Sequence, residues 1–389
     1  MHRDGDRTVP SPPPLADSGS VRMVRVWDLP TRAFHWLLVL AVAIALGTGF
    51  IAPEWWMGLH LAAGYLIVLL LVFRIVWGFF GSEYSHLVSL LRVSRRFGDY
   101  LRGLMMLRPP HYIGHNPAGA LMIFALFAVL TALVATGLMV QGGEEKQGPL
   151  AGILAYRVGD AAKRWHEILV YLLLAMIVTH VSGVLVEGRL QRMPLIRGMI
   201  SGWLPLPRGM PVPAPKPARP VAALVTLGVF ALAAGSMLML LARLPPADIL
   251  TMLPDETVSA ECGACHWAYH PSLLPRASWA RLLAGLEDHF GEDASLPAEQ
   301  TREIASFYDR YAAEAWDTEA ARRFAVVGPS EPLRITATPY WTAKHARIAP
   351  AAFAAAPVGN RGNCVACHRD ADSGRFDDQA IAIPEGIAP

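Results

Sequence analysis

The sequence predicts an all-α protein. A four-helix transmembrane bundle is followed by one extra transmembrane anchor helix and by a small, mostly helical, loop-rich C-terminal domain. Three observations point to this. Five apolar runs are each long enough to cross a bilayer, which takes about 20 residues. Strand signals are nearly absent from the polar remainder. The formal charge of +2 over 389 residues hides a split: residues 248–389 carry 12 Lys/Arg against 20 Asp/Glu, so the part before them is strongly basic. A basic membrane part joined to an acidic soluble part accounts for this. It also fits the hydrophobic content of 53%.

Residues 1–22 form a polar, Pro- and Ser-rich tail with no apolar period, expected to be disordered and cytoplasmic. The apolar runs fall at about 33–52, 59–79, 117–140, 165–186 and 221–243. Asn116 and Pro117 introduce the third as helix cap and first helical residue. Residues 23–204 make the bundle, 205–247 a Pro-rich semi-rigid linker with the fifth helix, and 248–389 the soluble domain.

Basic residues of short loops set orientation. Arg22, Arg25 and Arg32 precede the first span. Arg92, Arg95, Arg96, Arg102 and Arg108 lie between the second and third, and Arg189, Arg192, Arg197, Arg208, Lys216 and Arg219 follow the fourth. The loop 53–58 has none. The N-terminus is therefore expected in the cytoplasm and the C-terminal domain in the periplasm of a bacterial inner membrane. Loop 141–164, with Lys146, Arg157, Lys163 and Arg164, votes weakly.

Two pentapeptides carry the chemistry: Cys262-Gly263-Ala264-Cys265-His266 and Cys364-Val365-Ala366-Cys367-His368. Cys-x-x-Cys-His is the attachment pattern of c-type haem, with two thioethers and a His on the iron. Together the motifs use all four cysteines, which leaves none for a disulfide or a catalytic thiol. A zinc knuckle, a single four-thiolate zinc site or a redox pair would not require the following His.

A histidine inside the hydrocarbon region is a functional candidate. His35 stands at the cytoplasmic end of the first span and His60 at the periplasmic end of the second. In the fourth, His166 and His180 share one face, about 21 Å apart along the axis. Depth pairs His60 with His166 and His35 with His180, which predicts two bis-histidine b haems. Gly47, Gly49, Gly64, Gly137 and Gly183 are read mostly as helix-packing contacts. Arg74 is expected either to meet haem propionates or to snorkel. His86, His111 and His115 are read as interfacial.

In the soluble domain, Ser278 is expected to cap a helix with the apolar face Trp279, Leu282, Leu283, Leu286 and Phe290. A second helix is expected from Pro297 to about Trp316. His289 and His345 are the chosen distal ligands, without assignment to either c haem. His270, four residues from His266, is expected to face solvent, and Met252 lies too near the linker. Bis-His ligation suits low-potential electron transfer.

Residues 24–203 resemble the bacterial cytochrome b561 and Ni-hydrogenase b-type cytochrome family. The resemblance rests on Val26-Trp27-Asp28-Leu29-Pro30-Thr31-Arg32-Ala33-Phe34-His35-Trp36, His60 with Gly64-Tyr65, Phe73 to Phe79, Gly114-His115-Asn116-Pro117, and His166 with His180. Residues 255–389 resemble dihaem cytochrome c, through Glu261 to His266, Asp288 to Asp293, Thr338-Pro339-Tyr340-Trp341 with His345, and Asn363 to His368. The first resemblance implies the four membrane ligands, and the second implies two covalent haems with His289 and His345. Relatives of this kind pass electrons between the membrane pool and periplasmic haem proteins. Dihaem relatives serve a small oxygen-binding c-type haem protein.

The expected function is a membrane-bound relay from quinol, through two b and two c haems, to a periplasmic haem protein. Its activity would be of the quinol:cytochrome c type. Its partners are lipid, quinone and that acceptor, with no nucleic acid. The rivals are a hydrogenase or dehydrogenase anchor subunit, a superoxide:quinone oxidoreductase using a b haem near Arg164 and Lys163, and a haem or oxygen sensor with an open iron.

Overall fold

The computed structural model describes residues 21–106, 110, 112–207, 212, 217–241, 243–250, 255–326 and 333–387. The tail to residue 20, Arg108, His111, Arg208, Lys216 and Met252 lie outside the described residues. The chain begins with β1 (Val21–Arg25), α1 (Leu29–Phe50), α2 (Met57–Phe80), α3 (Leu87–Ser94) and α4 (Phe97–Met105). There follow α5 (Pro117–Gly143), α6 (Tyr156–Leu190), α7 (Leu195–Ser201), β2 (Trp203–Pro207) and α8 (Pro220–Leu241). Among the described residues five helices are long and apolar enough to cross a membrane, built on α1, α2, α5, α6 and α8. Their surfaces stay apolar, as Leu40, Leu69, Tyr171, Val178 and Leu232 illustrate. Water would penalise such surfaces and hydrocarbon does not. The protein is a multi-pass membrane protein.

Contacts divide the chain into two units. One comprises Met1–Leu46, Ala62–Val134 and His166–Ser236, and the other Gly47–Leu61, Ala135–Trp165 and Met237–Pro389.

In the first unit four helices share one core, with Ala41 from α1, Ile67 and Leu71 from α2, Leu130 and Leu133 from α5, and Leu173 from α6. Asp28 organises one end of it. Its carboxylate caps α1 by accepting from the Thr31 amide at 2.8 Å, and it also accepts from Trp77 Nε1 at 3.0 Å and Ser82 Oγ at 2.6 Å. Burial alone would raise this carboxyl. The hydrogen bonds from Ser82, Thr31 and Trp77 more than offset that and hold it below the usual aspartate range. Asn116 caps α5 as the sequence suggests, through Oδ1 to the Gly119 amide at 2.6 Å. A small antiparallel sheet pairs Val21 with Pro207 and Arg25 with Trp203. The sequence reading missed it, and β2 occupies the start of the expected linker. Far from being a bare anchor, α8 packs Ala223 and Leu227 against Val76 and Trp77 of α2.

The second unit contains α9 (Glu256–Glu261), α10 (Arg276–Leu283), α11 (Ala298–Tyr311), α12 (Glu319–Phe324), α13 (Pro339–Lys344) and α14 (Pro350–Ala354). Trp279, Ile304, Tyr308, Leu274 and Phe324 form its core, with the Trp279 and Tyr308 rings 4.1 Å apart. The expected capping residue Ser278 instead lies within α10, whose cap position is Pro275. Phe290 is off the helix altogether, 48% exposed and at φ +58°.

The loop between α5 and α6 is clamped to this domain. Lys146 is 2% exposed and its Nζ donates to Asp317 Oδ2 at 2.8 Å. The Tyr156 amide donates to the same oxygen at 2.7 Å, and Arg322 donates to Oδ1. Arg375 donates to the Lys146 carbonyl at 3.0 Å, and Arg323 meets Asp160 at 3.2 Å. Gly143 and Gly159 allow the approach, since a Cβ at Gly143 would lie 2.7 Å from the Gly159 amide nitrogen.

Removing one partner of a buried pair strands the other charge, at a typical cost of about 3–5 kcal/mol. Asp317→Ala should therefore lower the thermal stability of the second unit by that order and expose the 144–156 loop to protease. Burial raises the Asp317 carboxyl, but hydrogen bonds from Lys146, Tyr156 and Arg322 hold it below 3.8. The clamp is thus fully present above that value and is lost as pH falls through the lowered native one. A protease-susceptibility series against pH checks this.

Candidate functional site

Each Cys-x-x-Cys-His run is folded onto a single turn. The first leaves the end of α9, with the Cys262 amide donating to the Val258 carbonyl at 3.0 Å. The second closes when the His368 amide donates to the Cys364 carbonyl at 2.8 Å. Residues 380–382 then pair with it, the Ala382 amide donating to the Cys367 carbonyl at 2.8 Å. The four cysteines form no disulfide. Among the described residues they are not gathered into one cluster, which removes the four-thiolate zinc alternative.

The structure brings each motif histidine to a distal one. The rings of His266 and His289 face each other at 6.1 Å between centroids, 22° apart in plane. Those of His345 and His368 are also 6.1 Å apart, at 67°. Two metal–imidazole bonds of about 2 Å, plus about 1 Å from each nitrogen to its ring centre, require about 6 Å. Both pairs fit an iron held between two imidazoles. Local bonds aim the rings. His266 Nδ1 donates to the Trp267 carbonyl at 2.7 Å, and His345 Nδ1 donates to the Trp341 carbonyl at 2.8 Å. A carbonyl only accepts, so the proton sits on Nδ1 and Nε2 keeps its lone pair for a metal. Trp341 stacks on His345 at 4.2 Å and 14°. Thr338 caps the short helix that carries both.

The second pair lines a cavity of 350 Å³ with Cys364, Cys367, Phe353 and Ile381. Ile51, Pro53, Glu54 and Trp55, from the segment between α1 and α2, form its opposite wall. The first pair is more open, with Cys265 and His266 exposed. Tyr269 joins the two motifs. Its ring lies 5.0 Å from that of His266, and its hydroxyl packs against Gly362, where no Cβ would fit.

His270, expected in solvent, is 3% exposed. It packs edge-on against Trp316, under Gly374, and Nδ1 bonds Ser272 Oγ at 2.7 Å while Nε2 has no partner. It is a core histidine.

Among the membrane histidines, His35 and His180 are within electrostatic range of each other, and His35 Nδ1 is buried without a hydrogen-bond partner. His60 bonds Thr48 Oγ1 at 3.1 Å. His166 lies in the first unit and His60 in the second. All four rings are partly buried. A Cβ added at Gly47, Gly64 or Gly183 would meet nothing within 4 Å, so these three are not helix contacts and leave room for a flat group. Arg74 does not snorkel. It is 3% exposed and donates to the Ser85 carbonyl at 3.0 Å. His115, read as interfacial, packs on Trp27 at 4.6 Å, and burial, with Arg74 and His180 nearby, pushes it down to about 3. Only the buried Trp27-Asp28 segment hinted at such a partner.

The family profile described as prokaryotic cytochrome b561 matches residues 26–202, and that described as dihaem cytochrome c matches 258–376. The two family matches lie in tandem, the first on the membrane part and the second on the C-terminal part. Its b561 part is similar to the probable Ni/Fe-hydrogenase B-type cytochrome subunit of Azotobacter vinelandii, 28% identical over 213 residues, covering 46% of this chain and 88% of that one. It is similar also to the probable Ni/Fe-hydrogenase 1 B-type cytochrome subunit of Escherichia coli K12, 26% identical, covering 46% and 89%. The dihaem part is similar to the diheme cytochrome c from Rhodobacter sphaeroides, 38% identical, covering 33% of this chain and 100% of that one at TM-score 0.29. The dihaem cytochrome from Shewanella baltica OS155 is 32% identical, covering 34% and 96%, at TM-score 0.28. The b561 part binds b haems and the dihaem part binds two c haems.

Burial pushes His270 down to about 4 from 6.5. The neutral ring is therefore favoured in the fold, so its contribution is complete above pH 6.5 and declines as pH falls toward 4. Chemical denaturation across that range should show the decline, up to about 3 kcal/mol, and His270→Gln should flatten it.

Proposed function

We propose that this protein relays electrons between the membrane quinol pool and a periplasmic haem protein. In this reading His35 with His180 hold one b haem, and His60 and His166 are the sequence candidates for the other. Cys262, Cys265, His266 and His289 hold one c haem, and Cys364, Cys367, His368 and His345 hold the other. Bound haem supplies the one-electron couple, and the chain supplies spacing and ligand orientation. The observation that carries the reading is the wall of the His345–His368 cavity. It is made by residues 51–55, which lead directly into the first turns of α2 and His60. The Glu54–Trp56 turn packs on residues 378–380, and the Arg369 amide, next to His368, donates to the Ala380 carbonyl. A packed path thus runs from the α2 start to the second motif, and Tyr269 continues it to the first. The His345–His368 pair is the entry to the soluble domain and the exposed His266–His289 pair its exit.

The basic loops 81–116 and 187–219 support a cytoplasmic N-terminus in a bacterial inner membrane. The parity of five spans then supports a periplasmic C-terminal domain. The names of the membrane-part relatives favour a second reading, a b-type anchor for a hydrogenase, which a stable complex in a membrane pull-down would support. The superoxide reading loses its two cations, because Lys163 pairs with Glu144 at 2.6 Å and Arg164 with Asp160 at 2.7 Å.

Pyridine haemochrome analysis should give b and c haem in equal amounts. Redox-poised EPR should show four low-spin signals. His289→Ala and His345→Ala should each abolish a different c-type signal, and an unchanged set of signals would remove the assignment. Replacing Trp55 by Leu should slow quinol reduction of the c haems while leaving b reduction intact.

A further inference from the structure

The two imidazole pairs of the second unit differ in the angle between their rings. Both have centroids 6.1 Å apart, yet the planes of His266 and His289 are 22° apart and those of His345 and His368 are 67° apart. The wider angle is held in place on both sides. The Trp341 indole stacks on the His345 ring at 4.2 Å and 14°, so the two planes turn together. His345 Nδ1 donates to the carbonyl of the same tryptophan at 2.8 Å. Trp341 is itself fixed. It is 8% exposed, the Phe353 ring lies 5.6 Å from its own, and its amide donates to the capping Thr338 Oγ1 at 3.4 Å. On the other side, the Phe376 ring lies 5.4 Å from that of His368, at 66°. His289 has no such clamp. Among the described residues the rings that meet it are Phe290, edge-on at 4.9 Å, and His266.

Ring angle matters to a ferric low-spin iron. Each imidazole donates π density into the iron d orbital that lies across its plane. Parallel rings load one such orbital and split it from its partner. Crossed rings load both and leave them nearly equal in energy. The first arrangement gives a rhombic EPR signal with three resolved features, and the second a highly axial signal dominated by one large-g feature. Crossed rings also give the ferric state less π stabilisation, which raises the potential. Groups behind a ligand that fix its orientation therefore tune the metal.

We propose that Trp341 is a positioning residue that holds the His345 imidazole crossed against His368, so that the two c haems of one domain differ in electronic structure. This rests on the ligation by His345 and His368 proposed above.

The test uses the oxidised full-length holoprotein in detergent, read by low-temperature EPR. Near-infrared magnetic circular dichroism is recorded beside it, because it reports bis-imidazole ligation at any ring angle. Subtracting the spectra of His345→Ala and of His289→Ala from wild type isolates the signals of the two c haems from those of the b haems. The expected His345 signal is axial with one large-g feature, and the expected His289 signal is rhombic. Trp341→Leu should turn the axial signal toward rhombic and lower the midpoint potential of that haem, with the dichroism and the His289 signal unchanged. Trp341→Phe, which keeps an aromatic stack, should restore both. Trp341→Met repeats the comparison if the leucine variant sheds its haem. Two rhombic signals with bis-imidazole dichroism intact would overturn the proposal and leave the ligation standing. So would an axial signal that survives Trp341→Leu unaltered. An unchanged spectrum in His345→Ala would remove the ligation itself.

Discussion

Asp317 is where the second unit is held together. One carboxylate, 5% exposed, takes the Lys146 ammonium, the Tyr156 amide and the Arg322 guanidinium. A buried charge is tolerable only when its lone pairs are satisfied with good geometry, and here both oxygens are used. The arrangement gives direction as well as attraction. A greasy contact between loop and domain could slide, whereas three donors converging on two oxygens fix one register. That register fixes the loop between Lys146 and Tyr156 against the start of α12. The same bonds explain the weak charge signal of the 141–164 loop. Lys146, Lys163 and Arg164 are each committed to a carboxylate of the protein.

The contrast between His345 and His270 shows that an opposing imidazole, and not local hydrogen bonding, separates a candidate ligand from a core residue. In His345 the peptide carbonyl of Trp341 fixes the proton on Nδ1, Trp341 stacks on the ring, and the His368 ring lies 6.1 Å away on the same cavity. In His270 the Nδ1 side is also bonded, but the ring is wedged beneath Gly374 and against Trp316, with no facing imidazole. Burial and a lowered proton affinity are common to both. What differs is the opposing ring at 6.1 Å.

Much of this was legible in the sequence, for identifiable reasons. A membrane-crossing helix announces itself by composition alone, and all five appear, with Asn116 capping α5 where the Asn-Pro pair suggests. Covalent attachment motifs are local in sequence, so their two turns were legible too. Features that depend on distant partners were not. Ser278 looks like a cap, yet Pro275 starts α10 one turn earlier. Pairing β1 with β2 joins segments nearly 180 residues apart, and a strand of five residues ending in Pro gives no alternation to read. His270 was misjudged because nearness to His266 says nothing about Gly374 and Trp316, which bury it. The same limit applies to His289 and His345. Both could be nominated from sequence, but which motif each faces is a long-range fact.

The two histidine pairs of the second unit differ in exposure, and this has an electrostatic consequence. The His345–His368 cavity is walled by aromatic and aliphatic side chains, by the loop before α2, and by charged groups that include Glu54, Glu319, Lys344 and Asp378. The His266–His289 pair opens to solvent in a stretch that carries Glu261, Glu287, Asp288, Glu292 and Asp293, with the Arg334 guanidinium also acting on His289. A relay needs an outlet that a soluble partner can approach, and an acidic, exposed rim draws a basic partner by long-range steering that weakens with salt.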